Sequence, residues 1–536
     1  MPFSIWSLDV NCGYIAMRNG IWFKGRQMLS AIFGKKSDHP LADIKSVQGL
    51  LENLPRNDAY KSLMELTDLV ESAMEQDDFK LDHQFAVLRM IDEAAQPYAR
   101  KLSREYFTPF EINKFQENRL WSILGNYYRQ SANAYYGVFN RFCNADKGSS
   151  TIRIHIPLLT ARAVYTLICR LKFISARYEQ IDNDIWANLA LLYKHAEQLQ
   201  YLDTSVKLYP GMLGNTSVKC EVGSLMVWYD SGLSALNPLY IHLAERIVAK
   251  YCPAIDIRTE LDGAARLCFN LNSPAEPTRI NMDATTHPAL RFISMSTLQA
   301  RLEDLMKVLK KNIVPDDLSL GGSYEAEVVR NAVQHLLTYL IAPPVRRNAR
   351  RMANVTLNVV NGFDNVVGHT NPLQYNESVP ACWVTEEISV GGFSSALPSG
   401  SDGIGIGSLL GIQPEGMSHW GVAVVRRLLR DDANQMHAGA EILANHVACV
   451  YLNQNGSEPD GDQPALWLYP KQGEQSGGTQ LLLMKADTFS ASQSLKVELN
   501  EKRYLLIPTG LNEKGLDYDL AKFKVIEQEA DAEAVN

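Results

Sequence analysis

Residues 346 to 351 read RRNARR, so four arginines (Arg346, Arg347, Arg350 and Arg351) fall within six positions. A guanidinium group stays charged at any physiological pH, offers a planar fork of donors that matches two phosphate oxygens, and stacks its face on a nucleobase. Further along the chain comes EEISVGGFSS, in which Glu387, Ser389 and Gly392 are spaced E-x-S-x-x-G, with Gly391 just before the last. A carboxylate and a hydroxyl suit the hydrogen-bonding edge of a base, and paired glycines let the backbone turn sharply and approach a ligand closely. Together these residues fit a compact ligand that carries both phosphates and purine rings. A plainer reading stands beside this one. The arginines would pair with acidic side chains of a neighbouring helical region, in surface ion pairs that are individually worth little, and EEISVGG would be an ordinary strand-end turn.

Other stretches with chemical potential are weaker. GIGIGS (403–408) lacks the Lys-Ser/Thr ending of a phosphate-binding loop and reads as a turn feeding a strand. His195, His242 and His335 sit singly on helical stripes, and His419, His437 and His446 have no metal-ligand spacing. Arg426 and Arg427 are neighbours in a strand, so they point to opposite faces, one of them a candidate for the ligand side. Asp316–Asp317 and Asp431–Asp432 read as loop and cap residues. No nucleophile elbow is followed by an ordered Asp and His, so no catalytic constellation emerges. The expectation is a binding protein that is not an enzyme and needs no cofactor.

The elements that must hold these residues follow from composition and periodicity. The 536 residues are 46% hydrophobic with a formal net charge of -8 and a pI near 5.8. That is ample for several packed domains and argues against general nucleic-acid coating. Eight dispersed cysteines without CxxC suggest reduced thiols. No signal-like N-terminus and no run of roughly 18 to 20 apolar residues is apparent, so a cytoplasmic protein without a membrane span is expected.

Residues 1–40 form an N-terminal segment, and 41–343 read as a helical domain. DNDIWANLALLYKHAEQL places Ile185, Leu189, Leu192, Tyr193, Ala196 and Leu199 on one stripe. RLEDLMKVLKK repeats that stripe with Leu302, Leu305, Met306 and Leu309, and Asn237–Pro238 reads as a cap and first helical residue. No clean 34-residue repeat is present. Pro343 and Pro344 stop the last helix. Short β-rich runs then take over: ANVTLNVV, ACWVTEEISV, SLLGIQP, HWGVAVVRRLL and HAGAEIL. These predict a small antiparallel barrel or sandwich over 344–452. The turn-rich NQNGSEPDGDQP (453–464) reads as a linker, 465–527 as a second β-rich domain in which Leu495, Val497 and Leu499 alternate with polar residues, and 528–536 as a flexible tail. The fold class is thus α+β and multidomain: a large all-α region, a small antiparallel barrel or sandwich and a C-terminal β-rich segment.

RxxxR before the first strand, with [D/N]xSxxG on the following strands, resembles the PilZ domain, a six-stranded barrel that binds the bacterial second messenger cyclic di-GMP. Arg347 to Arg351 match RxxxR, and Ser389 and Gly392 match the second motif, within residues 344 to 452. The long helical region before the barrel looks like that of a group of bacterial PilZ-containing proteins. The resemblance selects the barrel over the sandwich and implies that Arg347 and Arg351 grip the phosphates and stack on guanine. It implies that Glu387 and Ser389 meet the guanine edge, and that Gly391 and Gly392 permit close packing. Arg346 looks like the family variant that favours two intercalated ligand molecules. Glu387 stands where the family has Asp or Asn, and GFDNVVGHTNPLQYNESVPAC lengthens the first hairpin. The implied function is a cyclic di-GMP receptor that signals to a protein partner through a domain rearrangement. The alternative is an interaction scaffold whose barrel no longer takes nucleotide.

Overall fold

The structure, a computed structural model, describes residues 39–528 apart from 77, 109–111, 213, 281–285, 344–348, 372–377, 399, 402, 455–462 and 471–477. The chain divides into a first unit ending at Glu52, which holds helix α1 (Ile44–Glu52), and a second running from Asn53 onward.

The second unit begins with helices: α2 (Ala59–Met74), α3 (Leu81–Phe107), α4 (Lys114–Cys143), the short α5 (Ser149–Ile152), α6 (Ile156–Ser175), α7 (Asn183–Gln198), α8 (Val218–Asp230) and α9 (Pro238–Lys250). Their starts follow local chemistry. Asp58, Asn113, Ser217 and Asn237 each accept a backbone N–H from the first turn of α2, α4, α8 and α9, which satisfies donors that have no partner inside the helix. Pro238 occupies the first position of α9, where its missing N–H costs nothing. Five of the six residues in the α7 stripe are buried. Leu199 lies past the helix end and is 53% exposed.

The helical core is not purely apolar. Asp92 of α3 is fully buried and accepts hydrogen bonds from Tyr127 (2.7 Å), Tyr135 (2.5 Å) and Gln96 (3.0 Å). Arg162 of α6 donates from Nε to the Leu208 carbonyl at 2.7 Å and from Nη2 to Glu93 at 2.7 Å. Removing any one member would leave a buried polar group without its partner, the costly outcome in a low-dielectric interior. The stretch Ser149–Ser175 has the length and apolarity of a bilayer span, yet 67% of its apolar window is buried inside the protein, and Arg162, Arg170 and Lys172 on it are ion-paired internally. It is a core helix.

Helical periodicity does not extend through the whole of 41–343. After α9 the chain forms β1 (Asp256–Arg258), β2 (Ala265–Asn270), β3 (Thr278–Arg279) and β4 (Leu290–Ser294), a four-stranded sheet of order β1-β4-β2-β3. β2 is buried at alternate positions, Ala265, Leu267 and Phe269, and is too short to carry a helical stripe. Two helices follow, α10 (Ser296–Leu309) and α11 (Ala326–Ile341), the latter ending just before the two prolines.

Beyond α11 lie two closed β-rings. The first comprises β5 (Arg351–Met352), β6 (Thr356–Asn361), helix α12 (Phe363–Thr370), β7 (Ala381–Ser389), β8 (Gly392–Ala396), β9 (Leu409–Pro414), β10 (Gly421–Arg430) and β11 (Met436–Ala444). Its six longer strands close in the order β6-β9-β10-β11-β8-β7 and back to β6, and β5 adds to the far end of β7. The second comprises β12 (Val447–Gln454), β13 (Gln463–Leu468), β14 (Thr479–Lys485), β15 (Leu495–Leu499), β16 (Lys502–Lys514) and β17 (Tyr518–Gln528), closed in the order β12-β15-β16-β17-β14-β13. Counting strands from one to six in each, both rings run 1-4-5-6-3-2. The chain therefore makes the same antiparallel six-stranded barrel twice in tandem. The strand at 447–454 belongs to the second ring, not to the first as the 344–452 grouping had it. Only Asn445 and His446 separate it from β11, so sequence spacing reads it with its nearest neighbour although its pairing is to β13 and β15.

The long first hairpin is explained by α12. Phe363, Val366 and Val367 enter a buried cluster that includes Leu409 and Val422 of the first barrel and Leu466, Leu483 and Tyr518 of the second. Each such burial contributes about 1.5–3 kcal/mol. Asp517 of the second barrel accepts the Phe363 backbone N–H at 2.5 Å, capping the helix from outside its own barrel. The insertion joins the end of β6 to the start of β7 and fuses the two barrels.

Candidate functional site

The arginine segment enters the first barrel through β5. Arg351 stands opposite Ile388, and Met352 opposite Glu387, on the last residues of β7. Arg346 and Arg347 lie outside the described residues. Between β5 and β6 the pairing with β7 breaks, and the fully buried Thr385 bridges the break. Its hydroxyl donates to the Ala353 carbonyl at 2.5 Å and accepts the Val355 N–H at 3.0 Å, while its own N–H bonds the Val355 carbonyl. Nothing in the local sequence singles out Thr385. Its role arises from a strand 30 residues away.

Arg350 Nη1 donates to Glu387 Oε2 at 2.5 Å, with the two side chains 29% and 34% exposed. For Arg350 the partner is thus the carboxylate of the second motif, on the barrel's own surface, and not a side chain of the helical region. Among the described residues Arg351 makes no ion pair, and it is exposed. Ser389 and Gly392 face each other across the tight hairpin that joins β7 to β8, and the Ser389 hydroxyl donates to the Gly392 carbonyl at 3.1 Å. The Gly391 carbonyl accepts from Ile442 of β11 at 3.0 Å. A Cβ on Gly392 would lie 2.4 Å from the Ala440 carbonyl oxygen, so backbone packing excludes any side chain there. The α12 insertion sits at the opposite end of β7 and does not separate the two motifs.

Glu386 falls at the register shift between Thr385 and Glu387, which turns it away from the ladder. It accepts from His437 Nδ1 at 3.0 Å, while Asp431 meets Nε2 at 3.1 Å. Burial opposes the charged imidazole, but the hydrogen bonds and charges of the two carboxylates outweigh it and raise the His437 pKa above the ordinary histidine value. No cluster of three metal-ligating side chains occurs among the described residues.

Arg426 and Arg427 do not take opposite faces: the ladder to β11 slips between Val425 and Arg427, so with Val425 and Leu428 in the core both arginines face outward, and both are committed elsewhere. Arg426 forks onto Glu513 of the second barrel at 2.6 Å through both Nη groups and meets Glu441 at 2.8 Å. Arg427 Nε donates to Ser234 of the helical region at 3.0 Å. The same end of β10 carries Arg430, whose backbone N–H bonds the Tyr178 carbonyl at 2.7 Å and whose Nε reaches the Arg177 carbonyl at 3.2 Å. Tyr178, held at φ 59°, packs its ring against the core of the first barrel. Helical region and barrel are thus joined through one strand end. Burial and the Lys172 ammonium push His242 down to about 3. Its Nε2 donates to the Leu320 carbonyl at 2.9 Å and its Nδ1 accepts from Lys172 at 3.3 Å, so it is a satisfied, neutral core residue. The described cysteines are all free thiols.

Residues 45–260, less than half of the chain, match the family described as cyclic-di-GMP receptor FimW, N-terminal domain. The match covers α1 through β1 and ends before either barrel begins. That family is one of receptors, which are binding proteins without enzymatic activity. No curated protein and no solved structure matches the chain.

Proposed function

We propose that the chain is a non-enzymatic receptor for cyclic di-GMP, that the first barrel is a PilZ-like module and that the ligand binds at its β5–β7 end. Two independent lines support this reading. Residues 45–260 match a cyclic di-GMP receptor family, and β5 brings Arg350 and Arg351 to the strand end that carries Glu387 and Ser389. The second is the observation that carries the site. In this reading Arg347 and Arg351 clamp the phosphates, Arg346 supports a second ligand molecule, Glu387 and Ser389 meet the guanine edge, and Gly391 and Gly392 keep the turn close. Arg350 holds Glu387 in place until the ligand arrives. Closure of the arginines on the ligand is then transmitted to the helical region through β10, whose end is bonded to Tyr178 and Ser234. The output is a protein partner, and the setting is the cytoplasm.

Calorimetry with cyclic di-GMP tests the assignment. Arg351→Ala and Arg347→Ala should each weaken binding by about tenfold or more, equal to about 1.4 kcal/mol. Full-strength binding in both variants rules out the site. The Arg350–Glu387 pair also favours a second reading, in which the two groups satisfy each other permanently and the barrel is a scaffold. A ligand that binds only the native state raises the melting temperature by mass action. No shift at cyclic di-GMP concentrations well above micromolar selects the scaffold.

A further inference from the structure

A cavity of about 420 Å³ lies in the helical region between α6, α8, α9 and the turn at Asp316–Leu318, well apart in sequence from the barrels. Ile168, Leu208, Met212 and Leu318 give it an apolar wall, and Glu221 and Arg246 face it from α8 and α9. Arg246 donates from Nε to the Ser319 carbonyl at 3.0 Å, which fixes the guanidinium plane. Its two Nη groups make no hydrogen bond among the described residues, and the nearest carboxylate oxygen, on Glu245, is 4.0 Å from Nη1.

The neighbouring charges are already spent. Glu245 is held by Lys172 at 2.9 Å, and Lys250 at the cavity edge pairs with Asp317 at 2.6 Å. The two Nη groups are partly exposed on the cavity side, so an acceptor bound in the cavity would meet donors that no described protein group occupies. The side chain keeps 22% accessibility, and the cavity is the space it opens onto. Fixed donors above an apolar chamber of this size are the usual make-up of a small-molecule site.

We infer that this cavity is a second binding site, for a small carboxylate whose two oxygens take the Nη groups of Arg246 and whose short apolar body lies against Ile168, Leu208, Met212 and Leu318. The planar fork matches a carboxylate in a bidentate manner. The apolar wall favours a hydrocarbon body over a second charged group. Burial holds the Glu221 carboxyl up at about 7, with the Thr216 hydroxyl on its Oε1, so its protonated form is present at neutral pH and offers a donor toward the bound oxygens. The site is independent of the cyclic di-GMP reading.

The test is isothermal titration of the full chain with sodium octanoate, sodium benzoate, octan-1-ol and inorganic phosphate. Saturable binding of at least one of the two carboxylates is expected, with octan-1-ol and phosphate at least tenfold weaker. Arg246→Gln should lower carboxylate affinity at least tenfold, and Met212→Trp, which fills the chamber from a loop, should do the same. Arg246→Lys keeps the charge and should bind between wild type and Arg246→Gln, which separates loss of the head contact from loss of fold. Arg351→Ala should leave octanoate affinity unchanged. Absence of saturable carboxylate binding, equal binding of octan-1-ol, or wild-type affinity in both Arg246→Gln and Met212→Trp would overturn the site.

Discussion

Arg350, the residue before β5, reaches the end of β7 and donates to the Glu387 carboxylate at 2.5 Å, so the arginine segment and the second motif are in direct contact. Glu387 carries one methylene more than the Asp or Asn of the family the segment resembles. Shortening it should loosen the pair and leave the acceptor. Glu387→Asp is expected to preserve or tighten cyclic di-GMP binding, and Glu387→Ala to weaken it by about tenfold. Both groups are partly exposed, so each change should move unliganded stability by less than about 1 kcal/mol. Calorimetry and melting of the same variants read both quantities. A loss of affinity in Glu387→Asp as large as that in Glu387→Ala contradicts the acceptor role.

Gly392 tests the packing of the hairpin. Its missing side chain leaves room for the Ala440 carbonyl of β11, and a Cβ would sit 2.4 Å from that oxygen. Gly392→Ala should therefore destabilise the protein by about 1–3 kcal/mol, the usual cost of overpacking against rigid backbone. Urea denaturation measures it. An unchanged midpoint would mean that β8 and β11 can part at no cost.

The two barrels are joined by the fork of Arg426 onto Glu513. Burial raises the Glu513 pKa, but the hydrogen bond and charge of Arg426 outweigh this and hold it below the ordinary value. A depressed carboxyl adds stability above its unfolded pKa, about 4.3, and that stability is lost as pH falls through the folded value. Glu513→Gln should thus be less stable than wild type at pH 7, with the difference closing in acid. Thermal melting from pH 7 to pH 3 follows it, and a difference that stays constant with pH excludes the ion pair as its source.

Glu221 has the opposite sign. Burial raises its carboxyl to about 7 against the lowering effect of the Thr216 hydrogen bond, with Cys220 and Glu245 adding to the rise and Arg246 opposing it. A raised folded pKa gives stability that is whole below about 4.3 and is lost as pH rises to about 7. Glu221→Gln keeps the neutral shape without the titration. Its melting temperature relative to wild type should be higher at pH 8 than at pH 5. An identical offset at both values would show that Glu221 titrates normally.

The sequence by itself determined what short-range chemistry decides. Asn237 and Pro238 start α9 because a side-chain acceptor and a fixed φ suit the first turn. α11 stops before Pro343 and Pro344, and Leu495 and Val497 alternate into the core of a strand. The sequence also set the arginine segment immediately before a β-rich run, which is enough to suggest the class of ligand. Tertiary structure decided the rest, since it depends on which distant strands pair. Thr385 mends the β5–β6 break, α12 is anchored by Asp517 of the other barrel, and Arg426 and Arg427 are drawn to Glu513 and Ser234. The tandem of equal barrels is visible only in the ring order, because alternating burial fixes a strand's faces but not its neighbours. The chamber under Arg246 exists because elements more than 100 residues apart close over one guanidinium, an outcome set by packing and not by spacing.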